Sequence, residues 1–239
     1  MNILLLMADQ FRFDAIRCIG NQRIQTPHLD TLAASGKLFT HAFTLSPVCV
    51  AARMSMISEQ RISRTHFVDN QCLPPATPVL PTLMTSLHDA GYRTQAVGKM
   101  YFQGKHYGFH CIKTQDECPR VRIMFLKENG IPTRFSHGYR NLLYFQPQPT
   151  ALLEQFTPEA WVTDHLRYCG SQPFFLWSSW IAPHPPFAAC SPDDQMYPPD
   201  DMDLPDYMNR PLSDLPETIW SSRARLDGAH HDPERMRRI

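Results

Sequence analysis

Four short groups of reactive side chains stand at the ends of apolar or small-residue segments. Asp9-Gln10 follows the run Ile3-Leu4-Leu5-Leu6-Met7. Gly98-Lys99 follows Tyr92 to Val97, and His184 comes just after Pro173 to Ile181. The fourth group, Cys49 to Arg53, opens directly after Ser46-Pro47. An acid, a base, an imidazole and a thiol, brought to one place, suit the binding of a tetrahedral oxyanion near a metal ion.

The elements that must position them follow from the apolar pattern. A short, uniformly apolar run fits a strand buried on both faces of a parallel sheet. The polar residue after such a strand lies at its carboxyl end, where open α/β sheets bind ligands. Ile3 to Met7, Tyr92 to Val97 and Pro173 to Ile181 are expected strands, and Phe39 to Leu45 a further one. Thr26 caps and Pro27 opens an expected helix that carries Leu29, Leu32 and Ala33 and ends at Gly36. Cys49 to Ile57 reads as a helix, Pro78 to Ala90 contains another closed by Gly91, and Thr157 to Cys169 is amphipathic with Trp161, Leu166 and Val162 inward. Residues 103 to 150 hold scattered aromatics, His and Pro and read as an insertion over the sheet edge. Residues 190 to 216 are acidic and proline-rich, hence mostly loop, and the last twenty are Arg-rich without apolar periodicity. Strand–helix alternation with polar strand ends is the pattern of an α/β, doubly wound, mostly parallel sheet with helices on both faces and one ligand crevice.

Composition narrows the function. Of 239 residues, 43% are hydrophobic and 19% charged, which supports a real core rather than disorder. Lys+Arg and Asp+Glu are 23 each, so charge gives no reason to expect nucleic acid or an anionic membrane as partner. The apolar run at residues 2–7 lacks a basic preceding region and a small-residue cleavage site, and it is too short to span a membrane. Seven cysteines without any CxxC pair support neither a zinc ribbon nor a thioredoxin-type motif, and a cytoplasmic, reduced protein is expected. Taken alone, Cys49 in a small-residue helix would be a buried hydrophobe, and the other six cysteines are read as structural or incidental thiols.

Several segments, in order, resemble the sulfatase family of the alkaline phosphatase superfamily. Asn2 to Gln10 looks like that family's opening strand with its first metal-binding acid. Thr26-Pro27-His28-Leu29-Asp30-Thr31-Leu32-Ala33 resembles its "TPNLDRLA" helix, and Ser46 to Arg53 its C-x-P-S/A-R signature. Gly98-Lys99 is similar to the "GK" of the second signature, and Pro183-His184-Pro185-Pro186-Phe187 to its "PHxPF" segment. Asp9-Gln10 and Asp69-Asn70 lean toward the branch of phosphonate monoester hydrolases and bacterial aryl- and choline-sulfatases.

The resemblance implies an alkaline-phosphatase-like fold and a sulfuric ester hydrolase. Cys49 would be oxidised by a formylglycine-generating maturase, and the hydrated aldehyde would attack sulfur or phosphorus and later expel the ester. Asp9 and Gln10, with the residue at position 49, would bind a divalent cation, Ca²⁺ or Mn²⁺. Arg53 would hold the diol or the metal-side carboxylates. Lys99 and His184 would contact the transferred group and the leaving oxygen, and Asn70 would join in substrate binding. The substrate is a small sulfate, or phosphonate, ester. Residues 1–216 are then expected to be an incomplete N-terminal catalytic domain and 217–239 an irregular tail, since no later "SDHG"-like segment follows. Weak or no activity is the expectation, with a non-catalytic remnant or a phosphonate or phosphate ester hydrolase as rival readings. Three positions depart from the pattern: Ala51 replaces the signature proline, Ser58-Glu59 stands for Thr-Gly, and Tyr101 for a frequent second histidine. Glu59 is expected to resist the positive φ that glycine allows there.

Overall fold

A computed structural model describes residues 1–70, 81–102, 105–114, 162, 166, 170–184, 189, 192–202 and 214. The chain divides into two units, one of Met1–Glu128 with Phe156–His184, the other of Asn129–Gln155 with Pro185–Ile239. The first unit holds a four-stranded parallel sheet in the order β1-β4-β2-β3. Its strands are β1 (Ile3–Asp9), β2 (Arg93–Gly98), β3 (Cys111–Thr114) and β4 (Phe174–Pro183). Among the described residues, the helices with defined bounds are α1 (Pro27–Ser35), α2 (Cys49–Ser58), α3 (Ile62–Thr65) and α4 (Leu83–Asp89).

Register decides which side chains share a face. Ile3 pairs with Phe175, Leu5 and Ala96 with Trp177, so these point to one side. On that side they meet Val50, Ala51, Met54 and Ile57 of α2 and Met84 of α4, together with Phe67, Met100, Phe102 and Phe109. The ring of Phe102 packs edge-on against Trp177 at 5.9 Å. On the opposite face Val97, Phe174 and Leu176 are buried, and Val162, itself helical, packs over them. Among the described residues, helices cover the first face, and Val162 is the helical residue that packs on the second.

Several expectations need correction. β1 is not buried on both faces: Leu4 and Leu6 are 44% and 53% exposed. They share their face with Leu176 and Ser178, but the cover there centres on β2 and β4 and does not reach the edge strand. Residues 39–45 form no strand, and Phe39, Phe43 and Leu45 are exposed. With nothing to bury them, their apolar character gives no ladder a reason to form. Leu166 is exposed rather than inward, while Val162 is half-buried; Trp161 lies outside the described residues. Thr26 makes no capping hydrogen bond to α1; its hydroxyl accepts from the Arg17 N–H and donates to Asp30. Within the stretch read as an insertion, β3 pairs in parallel with β2; residues 103–104 and 115–150 lie outside the described residues. In the second unit two single-turn 3₁₀ segments, Asp193–Gln195 and Pro199–Asp201, fall in the acidic loop region. The boundary expected at 216/217 and the tail lie outside the described residues. Among the described residues no helix is long and apolar enough to cross a membrane.

Helix α2 ends on Glu59 with φ 55° and ψ 23°, the left-handed conformation that closes many helices. Glutamate adopts it against the clash of its Cβ with the backbone, which costs about 1–2 kcal/mol. Glu59→Gly removes that strain but adds chain entropy to the unfolded state. The expected net effect is a gain of about 0.5–1 kcal/mol in urea unfolding; an unchanged or lower midpoint would contradict this assignment of strain.

Candidate active site

The three strands that approach the site end side by side. Asp9 closes β1 and pairs with Pro183, after a register shift between Ala8 and Asp9. His184 follows at the end of β4, beyond a cis Ala182–Pro183 bond. Gly98 closes β2 opposite Ser179, and the next N–H, of Lys99, donates to the Ser179 carbonyl at 2.8 Å. Parallel strands place all these residues at one carboxyl rim.

Cys49 reaches the same rim from the first turn of α2. Its Sγ lies 3.8 Å from Asp9 Oδ2 and 4.0 Å from Lys99 Nζ. Ligand atoms of Asp9, Cys49 and His184 all lie within 4.8 Å of one another. α2 has no capping side chain of its own, since Val48 stands at its N-cap. The free N–H of Val50 instead donates to Asn70 Oδ1 at 3.0 Å. Asn70 therefore fixes the turn that carries Cys49.

The charges are buried and paired. Asp9 is 8% exposed, Lys99 2% and Arg53 1%, so each charge needs a partner. The Lys99 ammonium donates to Asp9 Oδ2. Arg53 Nη2 reaches Asp9 Oδ1 at 3.5 Å and donates to Ser179 Oγ at 2.9 Å, while Nη1 donates to the Lys99 carbonyl at 2.7 Å. Its guanidinium also lies 5.8 Å from the Trp177 ring centroid. One side chain thus ties α2 to β1, β4 and the end of β2. Lys99 Nζ lies 4.7 Å from the Tyr101 ring centroid. Gln10 is exposed and turns the chain with φ 57°; among the described residues no hydrogen bond ties its amide to the cluster.

Burial pushes the Cys49 thiol above its ordinary pKa; Lys99 opposes the shift, Asp9 adds to it, and Arg53 opposes it. A buried acid with a raised pKa stays neutral until the solution is more alkaline than an ordinary cysteine requires. We therefore expect iodoacetamide to modify Cys49 slowly at neutral pH, with a rate that climbs only above the usual cysteine range. Peptide mass spectrometry across a pH series reads this; rapid labelling near neutrality would contradict it.

Sequence reasoning did not identify Ser179. Its buried hydroxyl and carbonyl anchor Arg53 and Lys99. Two serines inside an otherwise apolar strand were the available sign.

The donor set tests the fit of a hard cation. Ca²⁺ takes six to eight oxygen ligands. Among the described residues the cluster offers one carboxylate, and Lys99 and Arg53 already engage its two oxygens. These residues by themselves do not make a hard-cation cage.

Comparison with known proteins places the chain. The Sulfatase family model matches residues 1–229. An arylsulfatase of Clostridium perfringens is 30% identical over 215 residues, spanning 77% of this chain and 44% of its own length. A choline-sulfatase of Rhizobium meliloti is 34% identical over 120 residues, 49% of this chain and 23% of that protein. The structure of a phosphonate monoester hydrolase from Silicibacter pomeroyi superposes with a TM-score of 0.66 at 22% identity, covering 99% of this chain and 54% of that one. The chain spans about half the length, or less, of the proteins it matches. Sulfatases generally use a metal ion and a formylglycine, and three potential metal ligands gather here at the sheet rim. The match over nearly its whole length establishes that this chain belongs to the sulfatase family.

Proposed function

We propose that the chain carries the nucleophile side of a sulfuric ester hydrolase, with Cys49 as the residue converted to formylglycine. The observation that carries this reading is the meeting of Asp9, Cys49, Lys99 and His184 at one strand rim. Formylglycine, once formed, supplies a hydrated aldehyde whose oxygen attacks sulfur. Position 49 suits it, being half-buried, on a helix turn held by Asn70 and beside a buried ammonium. Lys99 offsets negative charge on the transferred group. His184 holds the proton that the leaving oxygen takes. Arg53 keeps Asp9 and the end of β2 in place, so a shift of either by 1 Å is resisted. A divalent cation, Ca²⁺ or Mn²⁺, belongs to the proposal, but no step is derived through it, because the described ligands do not complete its shell.

With one carboxylate in the cluster among the described residues, we expect the 239-residue chain alone to turn over an aryl sulfate weakly at best, even after coexpression with a maturase. Release of nitrophenol from nitrophenyl sulfate reads this. Turnover that survives Cys49→Ala would sink the nucleophile assignment. A second reading, hydrolysis of phosphonate monoesters, is admitted by Asp9-Gln10 and Asp69-Asn70, which lean toward a branch that holds both phosphonate monoester hydrolases and sulfatases; it is tested by the matching phenylphosphonate ester, and preference for that ester would select it.

A further inference from the structure

We propose that the unmodified thiol form of this chain binds a zinc ion on Cys49, His184 and Asp9. The three donors come from separate elements, the start of α2 and the ends of β4 and β1, yet lie within 4.8 Å of one another. A thiolate, an imidazole and a carboxylate, with a fourth position left for water, are a donor set for Zn²⁺ rather than for Ca²⁺. Bond lengths of about 2.3 Å to sulfur and about 2.0 Å to oxygen put the S···O edge of a tetrahedron near about 3.5 Å. The observed separation of Cys49 Sγ and Asp9 Oδ2 is 3.8 Å. The longest ligand–ligand separation must close by on the order of 1 Å, within the reach of side-chain rotation.

The ammonium of Lys99 marks where positive charge is wanted. It contacts Asp9 Oδ2 and sits 4.0 Å from Cys49 Sγ, beside the two donors that would carry negative charge. An entering ion displaces it from Asp9, and the Tyr101 ring, already 4.7 Å from Nζ, is a contact that the displaced ammonium can keep. Arg53 stays on the other carboxylate oxygen, Oδ1, and orients the ligand from behind. On binding, the thiol proton leaves to solvent and the sulfur coordinates as thiolate. This site does not depend on the hydrolase reading. Formylglycine has no sulfur, so maturation and zinc binding exclude each other at position 49.

Co²⁺, a spectroscopic stand-in for zinc, tests this in the purified, reduced 239-residue chain. The expected result is one equivalent bound, with a thiolate-to-cobalt charge-transfer band that Zn²⁺ removes and excess Ca²⁺ does not. Cys49→Ser should abolish the band with the circular dichroism unchanged, and His184→Ala should weaken binding at least about tenfold. Lys99→Met, which removes the competing cation, should tighten binding by about tenfold. A band that survives in Cys49→Ser, or no band at all, overturns the proposal. If Cys49→Ser does not fold, protection of Cys49 in the parent chain decides. Zn²⁺ should slow its alkylation, and no slowing overturns the site. Failure here leaves the aldehyde measurement of the hydrolase reading untouched, because the two report on different forms of residue 49.

Discussion

Arg53→Met should destabilise the first unit by about 3–5 kcal/mol, the range for breaking a buried charge network from one side. Methionine keeps much of the volume, so cavity formation is not the cause. What is lost is a set of partners that nothing else can replace. The Lys99 carbonyl and the Ser179 hydroxyl each lose a charged donor, at 2.7 Å and 2.9 Å. A buried acceptor left unpaired costs about 1–3 kcal/mol. Asp9 also loses one of its two cations. Urea unfolding followed by tryptophan fluorescence measures the change, and Trp177, beside the guanidinium, is a suitable reporter. A loss below about 1 kcal/mol would mean that the network is wet or loosely held.

Asp9→Asn should be nearly as damaging, at about 3–5 kcal/mol, and clearly worse than Lys99→Met. The asymmetry is electrostatic. Asparagine leaves two buried cations, Lys99 and Arg53, facing each other with no anion between them. Lysine 99 can escape only by moving its ammonium off the site. Methionine at 99 removes one charge from the set and leaves the Arg53–Asp9 pair intact. Its expected cost is about 1–2 kcal/mol, for the hydrogen bond to Asp9. Equal losses in the two variants, or a larger loss for Lys99→Met, would contradict the view of Asp9 as the anion that holds both cations.

The residues that meet at the rim were legible because uniform apolar runs mark buried parallel strands, and the residue after each run must then lie at the carboxyl rim. That argument alone pointed to Asp9, Lys99 and His184, and the small-residue helix after Ser46-Pro47 supplied Cys49 and Arg53. The same rule misled at β1: Leu4 and Leu6 are as apolar as Ile3 and Leu5 but lie on a face whose cover stops short. Apolarity reports what a side chain tolerates, while exposure depends on which elements arrive. β3 escaped because four residues, Cys111 to Thr114, are too short and mixed to show a period. The cap on α2 escaped for another reason. Its donor and acceptor, Val50 and Asn70, are twenty positions apart, and local capping rules look within one turn. Glu59 shows the limit of propensity: the helix end imposed φ 55° on a residue that disfavours it.

The claim that Cys49 is the precursor of the nucleophile is tested most directly by the mass of its peptide after coexpression with a maturase, with hydrazide capture of any aldehyde. The chain is expected to carry an aldehyde at position 49 in a fraction of molecules and none in Cys49→Ala. Ala51→Pro should raise that fraction by restoring the signature proline. Position 51 lies in the first turn of α2, ahead of the Ala52 N–H that makes the first helical bond to Val48 at 2.8 Å, so proline is tolerated there. An intact thiol in every molecule of both forms, under conditions that convert a control peptide, would contradict the account.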